Sequence, residues 1–255
     1  ILSNPGSLAF LTAKQLGDHL GISSATVVRF AHKIGFTGYP ELRREVQKLF
    51  REENEPMKKL KESFNGPLET KEAFEMICAL DQENISLMLS SDLGEELGRA
   101  MEIILNADTL LLFGGRSTYS LVHYAGFLLR QLDKKFGFFN SCADDAYERM
   151  EDLSPKDAVF VISLHRYYQR TIELAFCAHE KGSPVISLTD SIQSPLVPIS
   201  TVSLMVPNKA PFYSYVAPMT VLNGIIATYA KKAQLSSKEI FLQRNKMLLQ
   251  KGIYA

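Results

Sequence analysis

From residue 109 onward the chain alternates short apolar runs with helical patterns, and this alternation constrains the fold more than any other feature. The apolar runs predict five strands, "TLLLFGG", "KFGFF", "AVFVISL", "PVISLTD" and "VSLMVP", between residues 109 and 207. Helical spacing predicts helices over 71–90, 92–105, 117–132, 169–181, 215–232 and 236–250. Continuously apolar strands separated by helices are typical of a mainly parallel sheet covered on both faces. We therefore predict a three-layer α/β/α fold for this part.

Three polar turns follow predicted strands, "GGRSTYS", "SLHRYYQRT" and "TDSIQSPL". Ligands in such folds bind outside the carboxyl ends of the strands. Hydroxyl groups, guanidinium groups and backbone N–H groups could together hold an anion or a polyol, although polar loops that only face solvent are the alternative. The predicted ligand-binding residues are Gly114, Gly115, Arg116, Ser117, Ser163, Arg166, Tyr168 and Ser194, with the two glycines as backbone donors.

The N-terminal segment contains two helix starts in close succession. Thr12 with Gln15 forms a capping-box pair, Ser23 can cap a second helix, and Gly21 supplies the turn between the helices. Two short helices joined by such a turn are typical of a helix-turn-helix. Helical spacing places six apolar residues on one apolar surface: Leu16, Leu20, Ile22, Val27, Phe30 and Ile34.

The second of these helices carries the residue types that contact DNA. Small and hydroxyl residues at its start permit close approach to bases and phosphates, and two cationic side chains can reach base acceptors or the backbone. The predicted DNA-binding residues are Ser23, Ser24, Thr26, Arg29 and Lys33. A helical hairpin with a solvated charged face is the alternative. Arg43, Arg44, Lys48 and Arg51 in the next helix are either phosphate contacts or a solvated face.

Charge and cysteine content narrow the class of protein. Residues 1–51 carry seven Lys/Arg against three acidic residues in a chain with no net charge, so the N-terminal part is basic. The three cysteines show no metal-ligand spacing, and we interpret them as buried free thiols of a cytoplasmic protein. We expect no metal, cofactor or membrane span. Because the chain starts inside a helical pattern at Ile1, we expect a missing N-terminal piece.

Two stretches of the chain resemble a known family. "KQLGDHLGISSATVVRFAHKIGFTGYPELR" is similar to the helix-turn-helix of RpiR-type transcriptional regulators, and "GGRSTYS" with "GSPVISLTDSIQSPL" resembles their sugar isomerase (SIS) domain. The resemblance implies a DNA-binding domain at 1–55, a linker at 56–75 and a ligand-sensing SIS domain at 76–255. It also implies a double-stranded DNA operator, a small-molecule effector and a homodimer or higher oligomer.

The turn "SLHRYYQRT" departs from the family pattern. SIS domains that bind phosphosugars read Ser-x-Ser-Gly-x-Thr here, whereas this chain keeps only Ser163 and has His165, Arg166 and Tyr168 at the other three positions. The turn resembles a subgroup of these regulators with an Arg-Tyr turn and a later "FYSYVAP" segment. It offers a charged guanidinium and aromatic walls, which suit a carboxylate, a phosphate held differently or a stacked ring.

Three functions remain compatible with the sequence. The first is a transcriptional regulator whose SIS domain senses a sugar, a sugar phosphate or a related anion. The second is a SIS domain that only dimerises, with Arg166, Tyr167 and Tyr168 filling the old pocket against Phe212, Tyr213 or Tyr215. The third is a sugar-phosphate isomerase with His165 and Glu148 as acid and base, for which no convincing pair is present. We therefore expect a protein that is not an enzyme.

Overall fold

A computed structural model of the chain describes residues 11–52, 69–209, 213–232, 246–247 and 249–252. Three helices form the N-terminal part: α1 (Ala13–Leu20), α2 (Ser24–Lys33) and α3 (Tyr39–Glu52). A small core holds them together, to which Leu16, Val27, Ala31, Tyr39 and Leu42 contribute. The buried Tyr39 hydroxyl donates to the Leu11 carbonyl at 3.0 Å, and burial raises the pKa of this phenol to about 12.

The larger part contains a five-stranded parallel sheet. Its strands are β1 (Leu110–Gly114), β2 (Phe136–Asn140), β3 (Ala158–Ile162), β4 (Val185–Thr189) and β5 (Val202–Met205). The spatial order is β2-β1-β3-β4-β5, and all four pairings are parallel. The five predicted strands and the three-layer α/β/α class are confirmed.

Helices cover both faces of this sheet. They are α4 (Thr70–Leu89), α5 (Leu93–Asn106), α6 (Tyr119–Leu132), α7 (Ala146–Glu151), α8 (Gln169–Glu180) and α9 (Val216–Lys232). Helices α4, α5, α6 and α9 pack on one face, and α7 and α8 pack on the other. Side chains of β3 alternate between the two, with Phe160 in the first layer and Val159 and Val161 in the second.

Most predicted helices agree with the structure to within a few residues. The short helix α7 was not predicted. The predicted helix at 236–250 lies mainly outside the described residues, although 246–247 and 249–250 are helical. The segment 53–68, which holds most of the predicted linker, also lies outside them.

Candidate functional site

Side-chain caps fix the start of both helices in the helix-turn-helix. Thr12 Oγ1 accepts from the Gln15 backbone at 3.2 Å, while Gln15 Oε1 accepts from the Thr12 backbone at 3.0 Å. Ser23 Oγ accepts from the Thr26 backbone at 3.2 Å. Gly21 takes the left-handed conformation (φ 66°) that ends α1. The predicted capping box, second cap and turn glycine are therefore confirmed.

One face of α2 presents the predicted DNA-binding residues together. Ser23, Ser24, Arg29 and Lys33 are exposed, and Thr26 is half-buried. Thr26 Oγ1 links two of them, because it lies 2.9 Å from Ser23 Oγ and accepts from Arg29 Nη2 at 3.3 Å. Thr26 thus holds one end of the Arg29 guanidinium on the exposed side of the helix.

The predicted apolar surface of this part is buried at two of its six residues. Leu16 and Val27 are buried, whereas Leu20, Ile22, Phe30 and Ile34 are 38%, 40%, 37% and 46% exposed. Three short helices enclose too little volume to bury more than the few side chains along their common axis.

The basic residues of α3 differ in how far they are exposed. Arg43 is half-buried and Arg44 is exposed, while the side chains of Lys48 and Arg51 lie outside the description. Glu41 accepts from the Thr37 backbone and hydroxyl, and this bonding to the backbone holds the pKa of the Glu41 carboxyl below its usual range. A phosphate contact by the exposed Arg44 stays a prediction.

The turns after β1 and β3 meet at the carboxyl edge of the sheet. The two strands are paired, with Gly114 opposite Ile162. Thr118 Oγ1 joins the turns, since it lies 2.8 Å from the Gly115 carbonyl and 3.2 Å from the Ile162 carbonyl. The structure therefore brings most of the predicted ligand-binding residues to one place.

Gly115 lies in close contact with a layer of polar side chains. A Cβ atom at this position would lie 2.5 Å from both Ser141 Oγ and Tyr168 Cδ1, and 3.0 Å from Thr171 Oγ1. The buried hydroxyls of Ser141 and Thr171 are themselves 2.7 Å apart. Only glycine permits this approach.

The loop after β2 is part of the same edge and was missed by the sequence analysis. Cys142 Sγ donates to the Tyr168 hydroxyl at 3.4 Å, and this bond is the main reason that the pKa of Tyr168 is raised. Arg170 Nη2 donates to the Ala143 carbonyl at 3.0 Å, while its buried Nε has no hydrogen-bond partner. The signal was the polar segment "NSCADD" at the end of a strand.

Two arginines of the predicted site have left-handed backbones. Arg116 has φ 55° and Arg166 has φ 73°, and they are the only non-glycine residues with positive φ in the described chain. Both residues are exposed. Arg166 stands at the glycine position of the Ser-x-Ser-Gly-x-Thr pattern, so the turn keeps a conformation that glycine favours while carrying a guanidinium.

A half-buried acid supports the β3 turn from the side of β4. Asp190 accepts from the His165 backbone at 3.0 Å and from the Tyr167 hydroxyl at 3.1 Å. Burial raises the pKa of the Asp190 carboxyl, and burial together with the nearby Asp190 charge raises the pKa of Tyr167. Tyr167 is 3% exposed and anchors the turn, whereas Arg166 is exposed and Tyr168 is half-buried.

Tyr213 packs on the turn from the segment before α9. Its ring stacks on that of His165, with centroids 6.0 Å apart and planes at 25°. The Tyr213 hydroxyl is buried without a hydrogen-bond partner, and burial raises its pKa. The pocket-filling alternative placed Arg166, Tyr167 and Tyr168 against this segment, whereas the stacked ring belongs to His165. Phe212 lies outside the described residues.

The predicted serines differ in accessibility. Ser117 is exposed on the β1 turn. Ser163 is buried, and its carbonyl accepts from Thr189 Oγ1 at 2.9 Å. Ser194 is also buried, on the β4 turn, where its hydroxyl accepts from the Leu196 backbone at 3.4 Å. The side chain of Ser194 therefore stabilises its own turn.

The cysteines are free, but the prediction that they are buried is wrong. Cys78 and Cys142 are exposed and Cys177 is half-buried. Cys78 lies on a helix and Cys142 in a loop, where neither is covered by a neighbouring layer. In the residues that the structure describes, no group of three or more His, Cys, Asp or Glu side chains is placed to hold a metal ion, and no helix is long and apolar enough to cross a membrane.

A surface cleft of about 690 Å³ lies at the opposite edge of the sheet. Arg99, Asp108, Lys156 and Thr201 are among the residues that line it, near the amino ends of the strands. In the described chain, no buried unpartnered polar side-chain atom borders this cleft. Its position does not match the predicted site, and we assign it no function.

Comparison with known proteins identifies both parts of the chain. Residues 1–53 match the helix-turn-helix domain of the rpiR family, and residues 103–227 match the SIS domain. The chain joins an rpiR-family helix-turn-helix domain to a SIS domain. An HTH-type transcriptional regulator of Caldanaerobacter subterraneus is 24% identical over 244 residues, which cover 91% of this chain and 83% of that protein.

Solved structures share the fold. The sugar isomerase domain of an RpiR transcription factor from Sphaerobacter thermophilus aligns with a TM-score of 0.63 and 22% identity, covering 67% of this chain and 97% of the other. Vibrio vulnificus NanR complexed with ManNAc-6P aligns with a TM-score of 0.55 and 19% identity, covering 98% and 90%. A putative sugar-phosphate isomerase from Listeria monocytogenes has the same fold, with a TM-score of 0.55 and 14% identity over 69% and 98% of the two chains. The two domain matches and the regulator relative identify the chain as a DNA-binding transcriptional regulator whose SIS domain senses a small ligand.

Proposed function

We propose that the effector is a small anion, a sugar phosphate or a small carboxylate, bound by the turns after β1, β3 and β4. The residues that bind the effector are the predicted ones, Gly114, Gly115, Arg116, Ser117, Ser163, Arg166, Tyr168 and Ser194. The observation that carries the proposal is the left-handed backbone shared by the exposed Arg116 and Arg166. Strained residues persist where the surrounding structure enforces them, which is frequent at ligand sites.

Electrostatics at this edge favour an anion. Helix α8 begins directly after the β3 turn, and its cap residue Tyr168 makes no side-chain bond to the first turn. Its first backbone N–H groups and the helix dipole are therefore available to a negative group. Arg116, Arg166 and Arg170 add guanidinium groups, which bind carboxylate or phosphate through paired hydrogen bonds.

The turn supports a variant of phosphosugar recognition. Arg166 replaces the glycine of the family pattern but keeps a glycine-like backbone angle, so the loop path is preserved while its donors change from backbone to side chain. The proposal agrees with placing the chain in the subgroup of regulators that have an Arg-Tyr turn. A phosphorylated sugar comparable to the ManNAc-6P in the NanR complex would suit such a site.

For DNA, we propose that α2 enters the major groove and that the protein acts as a homodimer on a palindromic operator. Ser23, Ser24, Thr26, Arg29 and Lys33 share one outward face, which supports this role. A dimer would place the half-sites about one helical turn, roughly 34–36 Å, apart. We also propose that residues 1–55 form the DNA-binding domain, 56–75 the linker and 76–255 the SIS domain, and that the protein is cytoplasmic.

The geometry gives little support to isomerase chemistry. His165 stacks on Tyr213, and its backbone is held by Asp190. Glu148 is exposed on the short helix α7, which packs on the opposite face of the sheet from Tyr213. We therefore propose that the chain senses its ligand without converting it.

A ligand-free dimerisation scaffold is the second candidate, and the His165–Tyr213 stack is the observation that favours it. In such a scaffold, aromatic rings would fill the pocket that binds phosphosugars in other SIS domains, and no room would remain for an effector. The buried, unpartnered Tyr213 hydroxyl and Arg170 Nε argue against this, because a site filled only for packing would not retain unsatisfied polar atoms.

A thermal-shift screen separates these functions. The purified protein is tested against sugar phosphates, unphosphorylated sugars and small carboxylates, with Arg166→Ala and the exposed Arg99→Ala as a matched control. An effector at a hundred times its dissociation constant stabilises the native state by about 2.7 kcal/mol. We expect a shift that Arg166→Ala loses and Arg99→Ala retains. Silence of the native protein across the panel would favour the scaffold, and turnover of a hit would favour the enzyme.

A further inference from the structure

Helix α4 and the segment after β5 enclose a group of polar side chains that the proposed effector site does not use. Asn84 on α4 is fully buried, and its Oδ1 accepts from the Lys209 backbone at 3.1 Å. This bond places Asn208, the preceding residue, beside the same turn of α4. Asp81 lies three residues before Asn84 and therefore on the same face of the helix.

Each of these three residues has a buried polar atom with no hydrogen-bond partner. The atoms are Asp81 Oδ1, Asn84 Nδ2 and Asn208 Oδ1, and they make up three of the five such side-chain atoms in the described chain. Buried polar groups in folded proteins are nearly always paired. The three unpaired groups lie on one helix face and on the segment bonded to it, so one partner between the helix and the segment would satisfy them together.

The donor and acceptor pattern restricts the chemistry of that partner. Because Asn84 Oδ1 is occupied by the Lys209 N–H, Nδ2 is the donor that needs an acceptor. The free oxygens of Asp81 and Asn208 need donors. An ammonium group could not accept from Asn84, and a phosphate could not donate and would be repelled by Asp81. A hydroxyl group both donates and accepts, so a pair of hydroxyls satisfies all three.

We propose that Asp81, Asn84 and Asn208 form a binding site for the hydroxyl groups of an uncharged polyol or sugar. The Lys209–Glu83 ion pair, half-exposed at the surface, anchors the same segment to α4. The polyol site shares no residue with the proposed anion site, and it has an acidic side chain where the anion site has arginines. It stands without the anionic effector site and would give the sensor domain a second ligand specificity.

The test is calorimetric titration of the full chain with glucose, N-acetylglucosamine, xylitol and mannitol. We expect saturable heat with at least one of them, and at least tenfold weaker binding in Asp81→Leu and Asn208→Leu. Since Asp81 and Asn208 make no hydrogen bond through the unpaired oxygens, the apolar variants should also melt at higher temperature without ligand. Asp81→Ala and Asn208→Ala, which remove the same oxygens without adding volume, replace a leucine variant that does not fold.

Arg166→Ala distinguishes this site from the effector site. We expect it to keep polyol binding and to lose the response to anions, so that failure of either site leaves the other testable. No saturable heat with any of the four polyols, or unchanged affinity in the Asp81 and Asn208 variants, would overturn the polyol site. More stable variants combined with a native protein that binds no polyol would assign the three atoms to an ordered water.

Discussion

Arg116 and Arg166 follow two hydrogen-bonded neighbouring strands, β1 and β3, and both have left-handed backbones with φ of 55° and 73°. Such a conformation costs a non-glycine residue about 1–2 kcal/mol. The strain lies where an α/β sheet binds its ligands, and it directs two exposed cationic side chains from the same edge. We interpret this pair of strained residues as the structural basis of effector sensing.

Replacing Arg166 by glycine should stabilise the protein while removing its effector response. Glycine relieves the left-handed strain, so we expect the free energy of unfolding to rise by about 1 kcal/mol in urea titrations. Arg166→Ala is the matched control, because it also removes the guanidinium but keeps a Cβ at the strained position. Equal stability of the glycine and alanine variants would show that the backbone angle carries no cost.

A methyl group at Gly115 should disturb the site. The added Cβ would lie 2.5 Å from Ser141 Oγ and Tyr168 Cδ1, so Gly115→Ala should destabilise the fold by about 1–3 kcal/mol and displace Tyr168. Gly98→Ala on α5 is the control, because a Cβ there meets nothing within 4 Å and favours the helix by roughly 1 kcal/mol. Opposite changes in thermal midpoint are expected, and a stabilised Gly115→Ala would contradict the close contact.

Asp190 should make stability depend on pH. Burial raises the pKa of its carboxyl, so the native state holds this proton to higher pH than the unfolded chain does. Its contribution is therefore complete below the unfolded pKa of about 4 and is lost as pH rises through the native value. Relative to Asp190→Asn, the native protein should lose stability as pH rises from about 4. Parallel stability profiles for the two proteins would exclude this titration.

Arg29 should read a base. Its guanidinium is exposed on α2 and steadied by Thr26, so Arg29→Ala should weaken binding by about 1–3 kcal/mol and relax sequence preference at one position. The operator is selected from a random duplex library and binding is measured by fluorescence anisotropy. Arg99→Ala in the SIS domain controls for net charge. An equal loss of affinity on every sequence would instead make Arg29 a phosphate contact.

Local patterns account for what the sequence could predict. Apolar runs specified the five strands, and the Thr12–Gln15 and Ser23 caps specified the helix starts, because both signals involve residues close in the chain. Helix α7 was not predicted, because six residues are too few to show a helical repeat of apolar residues. Helical spacing places Ile22 and Phe30 on the apolar surface, but how far they are covered depends on how much core three helices enclose.

The site was harder to predict because its contacts join distant segments. Tyr167 and Tyr168 are adjacent and chemically alike, yet Tyr167 is buried in the core and bonded to Asp190, whereas Tyr168 is half-buried. Ser141 and Cys142 reach the site through Gly115 and Tyr168, which no spacing reveals. Asp81 and Asn84 resemble exposed helix residues in the sequence, and their burial depends on the segment after β5.

The most direct test of the account is effector-dependent DNA binding. The native protein and Arg166→Ala are bound to the selected labelled operator, and anisotropy is followed while sugar phosphates and small carboxylates are added. We predict that at least one anion changes the operator affinity of the native protein saturably, and that Arg166→Ala binds the operator equally well without responding. An identical response in Arg166→Ala would contradict the proposed sensor site.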